Sequence, residues 1–245
     1  MLVAAALVPE SALLVPGGAG RATVLEVERQ ACLEAIGALT AARPAQVVVV
    51  SPRRHGGGLA AAGIDPSIAA EGLGAPGAAP VALGSGGDVG TAVASWGLAR
   101  VGWRGPVELA PPLEGDAAAL AGLGRRLAGR PDPDPAARTA LLLVGSLSAR
   151  RGPRAPLPED PRAPGTDVRL AADLVTLDGP ARARLAAVPA EEATALAVSA
   201  WAPWQVLLGA VGDAPWRGRL HLDAAPWGAG YLVVDWTPGG GTGAP

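Results

Sequence analysis

Two short aliphatic runs constrain this chain more than any other feature. Leu2–Val8 and Gln46–Val50 carry almost nothing but Val, Leu and Ala, and each stops at a Pro or Ser-Pro step. A strand with no polar alternation has to be covered on both faces, the condition inside a parallel sheet. Between them, Arg21–Ala42 sets Val24, Val27, Cys32, Leu33, Ile36 and Leu39 at helical spacing, and Pro44 ends the pattern. Strand, helix and strand make a βαβ unit with a right-handed crossover.

The rest of the chain extends that unit. Ala140–Val144 reads as a third buried strand, entered from the Pro-rich turn Pro131–Pro135. Pro80–Leu83 and Val107–Ala110 read as weaker strands, followed by helical patterns over Val89–Ala99 and Asp116–Gly129. Arg219–Leu222 and Gly230–Trp236 close the sheet, the latter alternating enough for an antiparallel or edge strand. The expected fold is α/β: a single domain over residues 1–237 with a mostly parallel central sheet and helices on both faces, then a disordered tail over 238–245. Leu2–Val8, Gln46–Val50 and Ala140–Val144 are expected as neighbouring central strands.

Composition narrows the function classes. Gly (35 residues) and Pro (25) fill about a quarter of the 245 residues, yet 49% of the chain is hydrophobic and the net charge is only −2, so it folds rather than staying disordered. All 20 basic residues are Arg, and Lys, Asn and Phe are absent. These absences follow AT-rich codons and point to a high-GC bacterial genome. A chain without a basic excess is not expected to bind nucleic acid. The single Cys32 rules out an intramolecular disulfide and a Cys-cluster metal site, and its place in a helical pattern reads as core. The first eight residues lack a basic n-region, so no signal peptide is read there. Ala193–Gly212 is uncharged, but Pro203, Gln205 and two Trp residues make it a buried helix pair rather than a membrane span. Trp204 is expected against the C-terminal strand. The protein is expected in the cytoplasm, without a membrane partner.

Only His55 and His221 are available for imidazole chemistry. The nucleophile-elbow pattern G-x-S-x-G is absent, since Gly145-Ser146-Leu147-Ser148-Ala149 does not fit it. Gly84-Ser85-Gly86-Gly87-Asp88 lacks the spacing and the Lys of a phosphate loop and reads as a turn. The arginine pairs Arg53-Arg54, Arg125-Arg126 and Arg150-Arg151 read as solvated surface. Two long Gly/Pro/Arg-rich stretches, Ser51–Ala79 and Gly145–Thr166, follow the carboxyl ends of strands, where ligand crevices form in open α/β sheets.

Read together, the strand ends carry a resemblance. "VAAALVPESALLVP" (Val3–Pro16) resembles the first strand and loop of the class III extradiol ring-cleavage dioxygenase family, catalytic B-subunit type, where the loop reads Pro-His-Pro-Pro-Leu-Leu. "VVVVSPRRHGG" (Val47–Gly57) is similar to its second strand and His-bearing loop. "LLLVGSLSARRGPRAPLPEDPRAPGTDVRLAADL" (Leu141–Leu174) is similar to its Gly-Asp-Leu-Ser-His segment and the helix beyond. "WAPWQVLLGAV" (Trp201–Val211) and "DAAPWGAGYLVVDW" (Asp223–Trp236) resemble its last helix and closing strand. The order and spacing of these pieces, over about half the chain, carry the resemblance.

The resemblance implies a non-haem Fe(II) held by two His and one Glu, with a further His as acid/base and a small aromatic molecule as ligand. Carried over by position, this sequence departs from it. The first His becomes Glu10, and the second falls among Arg53, Arg54 and His55, of which only His55 can ligate. The acid/base His becomes Ala149, and the carboxylate ligand becomes Ala200. Glu10 and His55 are left as candidate metal ligands, with Ser148 and Tyr231 lining the substrate pocket and no catalytic residue at a matched position. Two readings follow. One is an enzyme with a rearranged site that recruits Asp88, Asp167 or Asp223. The other is a binding or scaffold subunit, homo- or hetero-oligomeric, that keeps the fold and pocket and has lost catalysis.

Overall fold

In the computed structural model, which describes residues 1–22, 24–52, 88–129 and 138–239, the three aliphatic runs lie side by side at the centre of one sheet. Its strands are β1 (Leu2–Val8), β2 (Gln46–Val50), β3 (Val107–Leu109), β4 (Thr139–Val144), β5 (Trp216–Ala224) and β6 (Tyr231–Pro238). They run in the order β3-β2-β4-β1-β6-β5. The first four are parallel, with Val48 and Ala5 both opposite Leu141. β6 pairs antiparallel with β1, and β5 antiparallel with β6. The chain is a single-domain α/β fold with a mostly parallel sheet.

Strand periodicity sorts the core. Ala5, Leu7, Val48, Val50, Leu141 and Leu143 point to one face. Ala4, Ala6, Val8, Val47, Val49, Leu142 and Val144 point to the other. Because successive side chains alternate, a run without polar residues needs helices on both sides, and both faces are covered. On the second face lie α1 (Glu26–Ala41) and α2 (Val89–Arg100). On the first lie α3 (Ala117–Ala128), α4 (Ala163–Thr176), α5 (Gly179–Ala186), α6 (Ala190–Ala195) and α7 (Trp201–Val211).

Local chemistry sets the helix ends. Asp88, Asp116 and Asp178 each stand one residue before a helix, and their carboxylates accept the N–H of Thr91, Ala119 and Ala181. The helical pattern over Arg21–Ala42 starts late, at Glu26, because Leu25 takes a left-handed conformation (φ 57°) that breaks the helix before it. The loop expected over Gly145–Thr166 ends early, at Ala163, with Pro164 in the first turn, where its missing N–H costs nothing. β5 and β6 are longer than expected, and Pro238 belongs to β6 rather than to a frayed tail. Gly239 N–H donates to Pro215 O (2.7 Å). The strand expected at Pro80–Leu83 and residues 240–245 of the tail lie outside the described residues.

Ala193–Val211 divides into α6 and α7, with Pro203 in the first turn of α7, so the proline interrupts nothing. Trp204 is fully buried in the same cluster as Leu232, Val234 and Trp236 of β6. No helix among the described residues is long and apolar enough to cross a membrane.

α3 and α7 cross with their backbones in contact. A Cβ at Gly124 would strike the carbonyl oxygen of Val206, and one at Gly209 that of Ala121. Gly37, in the middle of α1, faces open space instead. Gly209→Val should therefore lower stability by about 1–3 kcal/mol or more through overpacking. Gly37→Ala should raise it by about 0.5–1 kcal/mol through helix propensity. Urea midpoints at constant m-value measure both.

Candidate functional site

In a parallel sheet the segments after β1, β2 and β4 emerge at one edge. Because β6 is antiparallel, its first residue, Tyr231, stands at that edge too. Glu10, Ser11, Ser51, Ser146, Ser148, Ala149 and Tyr231 therefore lie toward one edge; the sequence reading places Glu10, Ser148 and Tyr231 there, with His55, which lies outside the described residues. What they do there is different.

The serines bond the loops to one another. Glu10 N–H donates to Ser146 Oγ (3.0 Å), joining the β1 loop to the β4 loop. Ser146 N–H donates to Ser199 Oγ (2.9 Å), and Ala200 N–H donates to Ser146 O (3.0 Å), which docks the turn before α7. Ser148 was expected to line a pocket, but it is fully buried. Its hydroxyl donates to Leu196 O (2.8 Å) and accepts Arg150 N–H (3.1 Å), while its own N–H donates to Asp167 Oδ1 (3.0 Å). With its one donor used inside the protein and its side chain fully buried, Ser148 serves the packing of the loops.

Tyr231 likewise belongs to the core rather than to a cavity wall. Its side chain packs with the α1 face of the sheet, and burial pushes the phenol up from its ordinary value, with a hydrogen bond to Ser11 pulling the other way. Cys32 sits in the same cluster, and its thiol is pushed up to about 12, first by burial and then by Glu28. The thiolate is the reactive form. Iodoacetamide at pH 8 should therefore leave Cys32 unmodified in the native protein and alkylate it fully in 6 M guanidinium, as read by intact mass; rapid native modification would refute the placement.

The two matched positions that carry alanine supply no ligand atom. Ala200 is fully buried, with the Gly145 backbone so close that a Cβ on Gly145 would collide with Ala200 Cα. Ala149, four residues after Gly145, is half-buried, and its carbonyl accepts Leu157 N–H (3.2 Å). Neither methyl can bind a cation or move a proton. Of the two expected metal ligands, Glu10 is half-buried at this edge and His55 lies outside the described residues. The three acids that a rearranged site would recruit are otherwise placed. Asp88 caps α2, Asp167 holds Ser148, and Asp223 is exposed near the end of β5. No group of three or more His, Cys, Asp and Glu capable of holding a metal exists among the described residues. The donors described here do not fit an iron centre.

The second histidine, His221, stands away from any such role. Its Nε2 lies 2.6 Å from Asp235 Oδ1 on the neighbouring strand and its Nδ1 3.5 Å from Glu34 Oε2 on α1. The ring thus ties the last hairpin to α1. Of the arginine pairs, Arg125 and Arg126 are exposed on the last turn of α3, as expected. Arg150 and Arg151 are half-buried and internally bonded, Arg150 to Pro158 O (2.9 Å) and Arg151 to Asp167 (3.6 Å), which is not the solvated surface the sequence suggests. A groove of about 410 Å³ between α4, α5 and α6 is floored by Leu170, Ala187 and Val188 and edged by the Asp173–Arg184 ion pair. None of the matched positions lines it.

Comparison with known proteins adds the fold alone. No family model matches the chain, and no curated protein matches it. Among solved structures it is similar to the uncharacterized protein JW3007 from Escherichia coli K12. The TM-score is 0.51 at 19% identity, over 95% of this chain and 99% of that one. Two chains so different in sequence share an architecture from end to end.

Proposed function

We propose that this chain is a class III extradiol dioxygenase-like protein that has lost ring cleavage and acts as a binding or scaffold subunit. The observation that carries this reading is the β4 edge. The positions matched to the acid/base His and the carboxylate ligand are Ala149 and Ala200, and Ser146 and Ser148, just before Ala149, spend their hydrogen bonds on the neighbouring loops. A site built for metal chemistry presents free donors to a cavity, whereas this edge presents them to itself. On this reading the protein works in the cytoplasm, in a homo- or hetero-oligomer, and a flat aromatic molecule is the ligand class its ancestry favours.

The test is oxygen uptake with a panel of catechols after anaerobic incubation with Fe(II), beside metal analysis of the washed protein. No uptake above the protein-free rate and no retained iron are expected. Ring-cleavage turnover that His55→Ala abolishes would overturn the proposal.

Restoring the matched carboxylate should be costly to the fold. Ala200→Glu forces an acid into a fully buried position against the Gly145 backbone. It should destabilise the protein by more than about 3 kcal/mol, the range for an unpaired buried charge combined with overpacking. Thermal denaturation with and without Fe(II) reads the effect.

A further inference from the structure

One carboxylate at this edge stands outside the proposed reading. Asp167, in the second turn of α4, is 1% exposed. Its Oδ1 accepts Ser148 N–H at 3.0 Å. Its Oδ2 has no hydrogen-bond partner and lies 3.6 Å from Arg151 Nη1. It also presses on Gly230, where a Cβ would strike Oδ2. Around it, the segment after β4 runs against the start of β6. Gly230 N–H donates to Ser148 O (2.7 Å), Leu147 N–H to Gly230 O (2.9 Å) and Arg151 N–H to Gly228 O (3.0 Å). The side chain is thus the polar hub of a junction between α4, the β4 loop and β6.

We propose that Asp167 is a proton-operated latch: ionised, it holds the Arg151 guanidinium against the β4 loop, and protonated, it lets that guanidinium go. The geometry supplies the reason. A buried carboxylate needs several donors, and this one has a single N–H and an ion pair too long to be a hydrogen bond. Binding a proton removes the charge whose burial is uncompensated, while Ser148 N–H keeps its acceptor. Arg151 then loses its counter-charge and, with its side chain already 23% exposed, turns to solvent. The charged groups facing Asp167 are Arg151 from the loop and Asp223 from β5, while β6 contributes only backbone. Burial raises the carboxyl first and the like charge of Asp223 adds to it, while the Ser148 N–H and Arg151 oppose them, leaving it at about 6. The latch would then operate in the range of ordinary cellular pH change, and it would free a cation two residues from Ala149.

The sign follows from linkage. The folded carboxyl titrates above the ordinary value of 3.8, so the stability that Asp167 contributes is fully present below about 3.8 and is lost as pH rises through about 6.

The test is a pH titration of the ¹⁵N-labelled full chain, following the Ser148 amide and the Arg151 Nε–H resonances. Both should move with one midpoint near pH 6, and the Arg151 heteronuclear NOE should fall on the acid side. Arg151→Gln should raise the midpoint and Asp223→Asn should lower it. Asp167→Asn should abolish the transition and give, at pH 7.5, an Arg151 Nε–H signal like that of the acid form. A Ser148 midpoint nearer 3.8 than 6 would overturn the proposal, and so would an Arg151 signal indifferent to Asp167. The wild-type and Asp223→Asn titrations decide the matter even if the other variants fold poorly.

Discussion

Everything in this molecule hangs on the pairing of β4 between β1 and β2. The three strands are parallel, aliphatic and sealed on both faces, so their side chains can be satisfied only by two separate helical layers. Parallel alignment also fixes where the loops emerge. The β1, β2 and β4 segments must leave the sheet at one end, and any chemistry drawn from them must be assembled there. The antiparallel β6 adds its own beginning to the same end, which is how a residue as late as Tyr231 comes to sit near Ser11.

That end is polar, and its described side chains bond chiefly to one another. Five of its side chains are serines, and four of them are bonded across loops or to the core, so their hydroxyls act as fasteners. Ser51 is the exception: its Oγ abuts Gly90 at the start of α2 and has no hydrogen-bond partner. Hydroxyls suit fastening because each can donate and accept at once without introducing a charge. Around the charge of Asp167 the edge is less well satisfied: its Oδ2 and the nearby Arg150 Nε are both buried without a hydrogen-bond partner.

The fold was legible because its signals are local and redundant. Leu2–Val8 and Gln46–Val50 end where a proline or Ser-Pro ends them, and the Asp residues that start α2 and α3 announce themselves one position before the helix. Leu25 was not legible, since nothing in its side chain demands a left-handed backbone. The site was half legible. Sequence order places Glu10, Ser148 and Tyr231 at one edge, but not whether they face a cavity or each other. That depends on Asp167 and Ser199, 19 and 51 residues beyond Ser148 in the chain, whose hydrogen bonds turn an expected pocket wall into a seam. A buried acid early in a helix, three residues after its proline, is the one sign of that seam the sequence carries.

The place of β1 also governs how the chain reaches this structure. Ala5 pairs with Leu141 on one side and Trp236 on the other, so the first strand of this sheet is bordered by two strands far from it in sequence. Contacts of that separation close late and fold slowly. On the ribosome, β1 would emerge as a bare apolar ribbon with both edges unpaired until β4 follows, and with one edge still open until β6 is released. The βαβ unit built on β1, α1 and β2 cannot close the gap, because β4 stands between the two strands. Synthesis and final assembly are therefore separate events for this protein, and the interval between them is when this apolar strand is most open to chaperones or to misassociation.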